Sequence, residues 1–180
     1  MKTIGLAVLA LTLVSSSFAD QDVVSAVHGT VVKIDQGTKI VVVKTADGTR
    51  HSLHFVDETA VHGAELSANG ASESWHGLAK GSEVVAHYTK RGTEDTAVEI
   101  DRVGKDGLKT AKGTVTDIDR GGKNLVVDTG KGTERTFELT DHASEDAGKD
   151  IAKGTVKGSK VTVYYTEDAG KRVAHFFEAL

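Results

Sequence analysis

Strict alternation of apolar and polar side chains is the first signal along this chain. Val41, Val43 and Thr45 alternate with Val42 and Lys44, and Leu53 and Phe55 alternate with Ser52 and His54. A period of two places every second side chain on one face of a strand, so each run predicts a half-buried β-strand. The pattern returns in Leu125, Val127, Thr129 and in Phe137, Leu139. Asp47-Gly48 and Lys131-Gly132 separate the paired runs where a tight hairpin needs positive φ, and Gln36-Gly37 and Arg120-Gly121 mark the preceding turns. Further strands are predicted near 82–89 and 96–102, and again near 159–166 and 172–179. The segments 57–79 and 141–156 are rich in Ala, Glu, Ser and Gly without alternation, and read as crossovers with a short helix or no regular structure.

The two halves are written alike. Residues 27–57 align with 111–141 at a constant offset of 84: Lys39, Val42, Val43, Thr45, Gly48, Thr49 and Asp57 recur as Lys123, Val126, Val127, Thr129, Gly132, Thr133 and Asp141. The match resumes at an offset of 77, pairing Lys80-Gly81-Ser82 with Lys157-Gly158-Ser159 and Val84, Tyr88, Thr89 and Ala97 with Val161, Tyr165, Thr166 and Ala174. The first copy thus carries seven extra residues between Thr59 and Gly77. Three meander strands, a crossover and a closing hairpin is the order of an OB-type barrel. The expected architecture is all-β: two tandem five-stranded OB-like barrels, 25–102 and 111–180, joined by a linker at 103–110, each with a helical or irregular crossover between strands 3 and 4.

The run Gly29-Thr30-Val31 to Ile34-Asp35, then Val42-Val43, Asp47-Gly48-Thr49, Asp57 and Lys80-Gly81-Ser82, resembles the exported bacterial OB-like small β-barrel domains of unknown function. The resemblance spans both copies. It rests on turn and core positions, implies the barrel fold, and carries no catalytic residues over. The second copy departs where Phe176-Phe177 stands in place of Glu99-Ile100.

Composition narrows the function classes. The 180 residues include 22 Lys+Arg against 26 Asp+Glu, with no Cys and no Pro, where an average chain of this length has about nine prolines. Lys2, the apolar run 4–14 and Ser17-Phe18-Ala19 read as a secretory signal, so residues 1–19 are expected to be removed and the protein to act in the periplasm or outside the cell. No other apolar run is long enough to span a bilayer, and without Cys there is neither a lipid anchor site nor a disulfide. An acidic balance with 5% aromatics argues against nucleic acid. No cofactor motif is present, and the expected partner is an envelope protein or a small ligand.

Eight histidines raise a metal hypothesis. Six lie in the first copy, and His28, His51, His54 and His87 correspond to Lys112, Arg135, Glu138 and Tyr164 in the second. A site belonging to the repeating module would have been duplicated, which weighs against one. His62 and His76, in the part that does not align, are the remaining metal candidates, and Trp75 beside His76 is the candidate apolar anchor of a ligand site. A barrel plug is the competing reading of Trp75. Asp117-Ile118-Asp119, with Asp128 further on, imitates a calcium loop, but Gly121 stands where an oxygen ligand is needed. No Cys nucleophile, Gly-x-Ser-x-Gly elbow, His-Glu-x-x-His or P-loop is found. The expected function is a non-enzymatic binding or structural module of the cell envelope, with a periplasmic metal-binding protein using first-copy histidines as the alternative.

Overall fold

A computed structural model describes residues 24–63, 75–119, 123–143 and 157–180. The expected signal at 1–19, the Arg120-Gly121 turn, residues 64–74 of the first crossover and 144–156 of the second lie outside the described residues. The first sheet is built from β1 (Ser25–Asp35), β2 (Ile40–Lys44), β3 (Arg50–His54), β4 (Ala60–His62), β5 (Glu83–Arg91) and β6 (Glu94–Arg102). Its order is β3-β2-β1-β5-β6-β4, and a parallel pairing of Leu53 with Asp95 and His54 with Thr96 joins β3 to β6 and closes a ring of five strands. The second sheet, of β7 (Lys109–Asp119), β8 (Asn124–Asp128), β9 (Glu134–Leu139), β10 (Lys160–Asp168) and β11 (Lys171–Ala179), is a closed barrel. The all-β, two-ring architecture agrees with the alternation in the sequence. The crossover of the first barrel differs from its counterpart: it opens with β4, a three-residue strand laid parallel on β6, whereas the second barrel has one turn of helix at 141–143.

The alternating positions Val41, Val43, Leu53, Phe55, Leu125, Val127, Phe137 and Leu139 point inward as predicted. Val31, Val41, Val43, Leu53, Val84, Ala86 and Ile100 form the first core, and Val115, Leu125, Val127, Phe137, Val161, Val163, Tyr165 and Phe177 the second. Each fully buried aliphatic side chain contributes about 1.5–3 kcal/mol, which carries the fold where no disulfide does. The glycine of the Gly-Thr-Val motif has a packing cause. A Cβ on Gly29 would sit 2.4 Å from the Lys44 carbonyl oxygen, and one on Gly113 would sit 2.3 Å from that of Asp128.

The two barrels meet through their outer faces. Val84 and Ala86 point into the first barrel, so Val85 between them points out; Val163 and Tyr165 point into the second, so Tyr164 points out. Val85, Tyr164, Phe176 and Leu108 form a third apolar cluster at this seam, with Ala26 and Val103 packed against it. Leu108 is held there by a tight turn: its N–H donates to the Arg102 carbonyl at 2.7 Å, and its own carbonyl accepts from Gly104 at 2.9 Å.

Candidate metal centre

The pleat of β6 decides where its carboxylates go. Ile100 enters the core of the first barrel, so Glu99 and Asp101 on either side of it face outward, toward the second barrel. β4 runs parallel to β6 with Ala60 opposite Glu99, Val61 opposite Ile100 and His62 opposite Asp101, which carries His62 onto the same face. A close backbone approach fixes the end of β4. Gly63, at φ 67°, lies so near the 104–107 turn that a Cβ on it would meet Gly107 Cα at 2.8 Å.

His62 Nδ1 lies 2.9 Å from Glu99 Oε1 and 3.0 Å from Asp101 Oδ1. The second barrel adds His175 on β11, whose Nδ1 is 3.4 Å from Asp101 Oδ2 and 3.9 Å from Glu99 Oε1. The other ring nitrogen of His175 lies 3.2 Å from Thr166 Oγ1. The Asp101 side chain is only 2% exposed, and its Oδ2 accepts no hydrogen bond, whereas His62 is 57% exposed and opens the group to solvent. A cavity of about 130 Å³ adjoins it, bordered by His62, Asp101, Arg102, Leu108, Thr166 and His175. Arg102 is engaged with the main chain, its Nη1 donating to the Gly63 carbonyl at 3.3 Å.

Burial alone raises the Asp101 carboxyl, but the neighbouring His175 and His62 outweigh it and hold the group below the ordinary carboxylate value. His175 shows the reverse balance: burial lowers it, and contact with Asp101 and Glu99 raises it above the usual imidazole value. His87, fully buried on β5, is pushed down to about 4 by burial, offset in part by Asp101 and reinforced by His142 and His175. The His142 ring lies 5.5 Å from that of His87.

Asp101, His175 and Thr166 stand in the order of an acid, base and hydroxyl triad. The Asp101 Oδ2 contact at 3.4 Å is not a hydrogen bond, however, and a triad needs that bond to hold the imidazole tautomer. What the group can do is ligate: the His62 imidazole and the Glu99 and Asp101 carboxylates converge, with His175 beside the two carboxylates.

Of the residues singled out in the sequence, His62 joins this cluster. Trp75 and His76 lie in a turn closed by paired backbone bonds between Trp75 and Leu78, both 2.9 Å. There the Trp75 ring packs on Phe55 at 4.6 Å and His76 stacks on it at 5.7 Å. No described contact joins His62 to either. His28 is drawn to Glu83 and Glu178, and His51 lies 6.0 Å from the Tyr88 ring. Glu99, Asp101 and His175 were not read as ligands from the sequence. The available signal was the spacing of Glu99 and Asp101, two apart on one strand face.

No family model matches the sequence, and no curated protein matches it. Among solved structures, the crystal structure of Ag(I)CusF is similar to part of the chain, at 15% identity and a TM-score of 0.33, covering 44% of this chain and 97% of that one.

Proposed function

We propose that the protein is an exported, non-catalytic binding module whose ligand is a divalent cation held at His62, Glu99 and Asp101. The observation that carries this reading is the convergence of one imidazole nitrogen and two carboxylate oxygens, all within 4.8 Å of one another, on a carboxylate buried beside a cavity. Metal–ligand bonds of 2.0–2.2 Å in a tetrahedral centre put ligand atoms about 3.3 Å apart. The 2.9 and 3.0 Å separations at His62 need only a small expansion to admit an ion. His62 Nδ1 faces both carboxylates from one side, the position a bound cation would share with it, and metal binding by imidazole and carboxylate is coupled to proton release. Imidazole with carboxylate suits Zn²⁺, Cu²⁺ and Ni²⁺, and the absence of thiolates disfavours softer ions. The export half of the reading is supported by Lys2, the 4–14 apolar run and Ser17-Phe18-Ala19.

Calorimetric titration of the purified protein with Zn²⁺, Cu²⁺ and Ni²⁺ at neutral pH tests it. One ion per chain is expected, with binding lost in His62→Ala, a half-exposed position that leaves the core intact. Absence of heat and of any Tm shift with all three ions would remove the cation reading.

A further inference from the structure

We infer that the centre is shared between the barrels: His175 of the second barrel is its fourth ligand, and a bound cation clamps that barrel to the first. The inference rests on cation binding at His62, Glu99 and Asp101.

A β-bulge aims His175. Tyr164 pairs with Phe176 and Tyr165 with Ala174, so His175 is the extra residue on β11. Ala174 and Phe177 point into the second barrel, which leaves both intervening residues facing the seam. Phe176 enters the apolar cluster with Val85 and Leu108, and His175 reaches Asp101. The matching bulge in the first barrel, between His87 and Tyr88, leaves Val98 as the extra residue, which carries no ligand atom.

The distances have the right scale for a ligand. His175 Nδ1 stands 3.4 Å from Asp101 and 3.9 Å from Glu99, around the ~3.3 Å that separates ligand atoms in a tetrahedral centre. Thr166 Oγ1, 3.2 Å from Nε2, stands where it can accept that nitrogen's N–H, the tautomer that would free the Nδ1 lone pair to bind an ion. Asp101 Oδ2 is a second, independent pointer. It is the oxygen that faces His175, it is buried, and its contact there is a 3.4 Å ion pair that falls short of a well-formed hydrogen bond. Buried acceptors of this kind are costly unless a partner satisfies them, and a cation between Asp101 and His175 does so. An ion that binds only when β11 lies against β6 stabilises the docked arrangement by mass action.

The test compares the wild type, His62→Ala, His175→Ala and Thr166→Val. Zn²⁺ affinity is read by chelator competition, Co²⁺ geometry by absorption, and seam opening by hydrogen exchange with and without Zn²⁺. The wild type is expected to give the intense Co²⁺ bands of a four-coordinate site, and Zn²⁺ to slow exchange both in β6 and at 173–178. His175→Ala should bind Zn²⁺ more weakly by well over the ~10-fold that loss of an outer partner costs, with exchange slowed in the first barrel alone. Thr166→Val, which keeps His175 and its packing, should weaken binding about 10-fold. Wild-type affinity and Co²⁺ spectrum in His175→Ala, alongside loss in His62→Ala, would overturn the shared centre while leaving cation binding intact. Unchanged exchange at 173–178 on Zn²⁺ loading of the wild type would overturn it without any variant. Failure of the wild type to bind at all removes both readings.

Discussion

The phenol oxygen of Tyr164 lies 3.0 Å from His28 Nδ1 and donates to Glu178 Oε1 at 2.7 Å, so the second barrel grips the first strand of the first at an imidazole already bonded to Glu83 at 2.8 Å. Burial pulls His28 down, but Glu178 and Glu83 outweigh it and its pKa stands above the ordinary value. A pKa raised on folding contributes stability that is complete below the unfolded value of about 6.5 and is lost as pH rises through the folded one. Stability should therefore decline from neutral toward mildly alkaline pH. Urea melts of the wild type and His28→Asn between pH 6 and 9 measure this, with a shallower decline expected in the variant. A residual slope remains from His175, which is raised in the same sense. Parallel declines would show that the His28 ion pairs contribute nothing to the seam. Tyr164→Phe should cost about 1 kcal/mol at neutral pH, the scale of one part-buried hydrogen bond.

Acid acts on a different histidine. Burial depresses His87 to about 4, and the groups around it are Asp101 and Glu99 on β6, His142 of the second barrel and His175 on β11. A depressed imidazole must be neutral in the fold, so the unfolded chain gains the proton first as pH falls below 6.5. From there to about 4 the loss amounts to roughly 3 kcal/mol. His28 and His175, being raised, have already reached their full contribution in that window. His87→Leu should flatten the stability profile between pH 6.5 and 4, as read by denaturant midpoints, while leaving its alkaline limb in place. An unchanged acid limb in that variant would assign the acid sensitivity to the carboxylates instead.

The barrels were legible because their information is local. Val41, Val43 and Leu53 alternate within single strands, and Gly48 at φ 90° turns the hairpin between them. The candidate site was not, because it joins three separate segments. β4 is three residues long, too short to show a period, and its partner on β6 lies about forty positions away. Symmetry between the halves also hid the group. It weighed against a metal site on the ground that a modular site would be duplicated, whereas the clustered side chains come from a crossover strand with no described counterpart and from across the seam. The positions matching Glu99 and Asp101 are Phe176 and Glu178, so the asymmetry was present in the sequence as a departure from the repeat.

Trp75 separates stability from binding. Its ring packs against the first core and on Phe55 at 4.6 Å, away from the His62, Glu99 and Asp101 group. Trp75→Ala should cost about 3 kcal/mol by leaving a cavity over Phe55, and the Tm should fall accordingly. Zn²⁺ affinity should remain that of the wild type at a temperature where the variant is folded. A variant that keeps its Tm but loses Zn²⁺ would return Trp75 to the role of ligand anchor.

A glycine with no donor atom should control the site as strongly as a ligand. A Cβ on Gly107 would lie 2.1 Å from the Arg102 carbonyl oxygen, the same oxygen that accepts from Leu108, and Gly107 Cα is the close neighbour of Gly63 at the end of β4. Alanine there must push the turn off β6, and both Leu108 in the seam and His62 beside Gly63 move with it. Overpacking of this kind costs about 1–3 kcal/mol. Gly104 is the matched control. It stands at φ 109°, with nothing within 4 Å of a built Cβ, so Gly104→Ala carries backbone strain of about 1 kcal/mol or more and no clash with neighbours. Gly107→Ala should thus lower both the Tm and the Zn²⁺ affinity, and Gly104→Ala the Tm alone. Equal effects of the two on Zn²⁺ affinity, measured by chelator competition, would show that strain anywhere in the turn suffices and that the contact with Gly63 does not place His62.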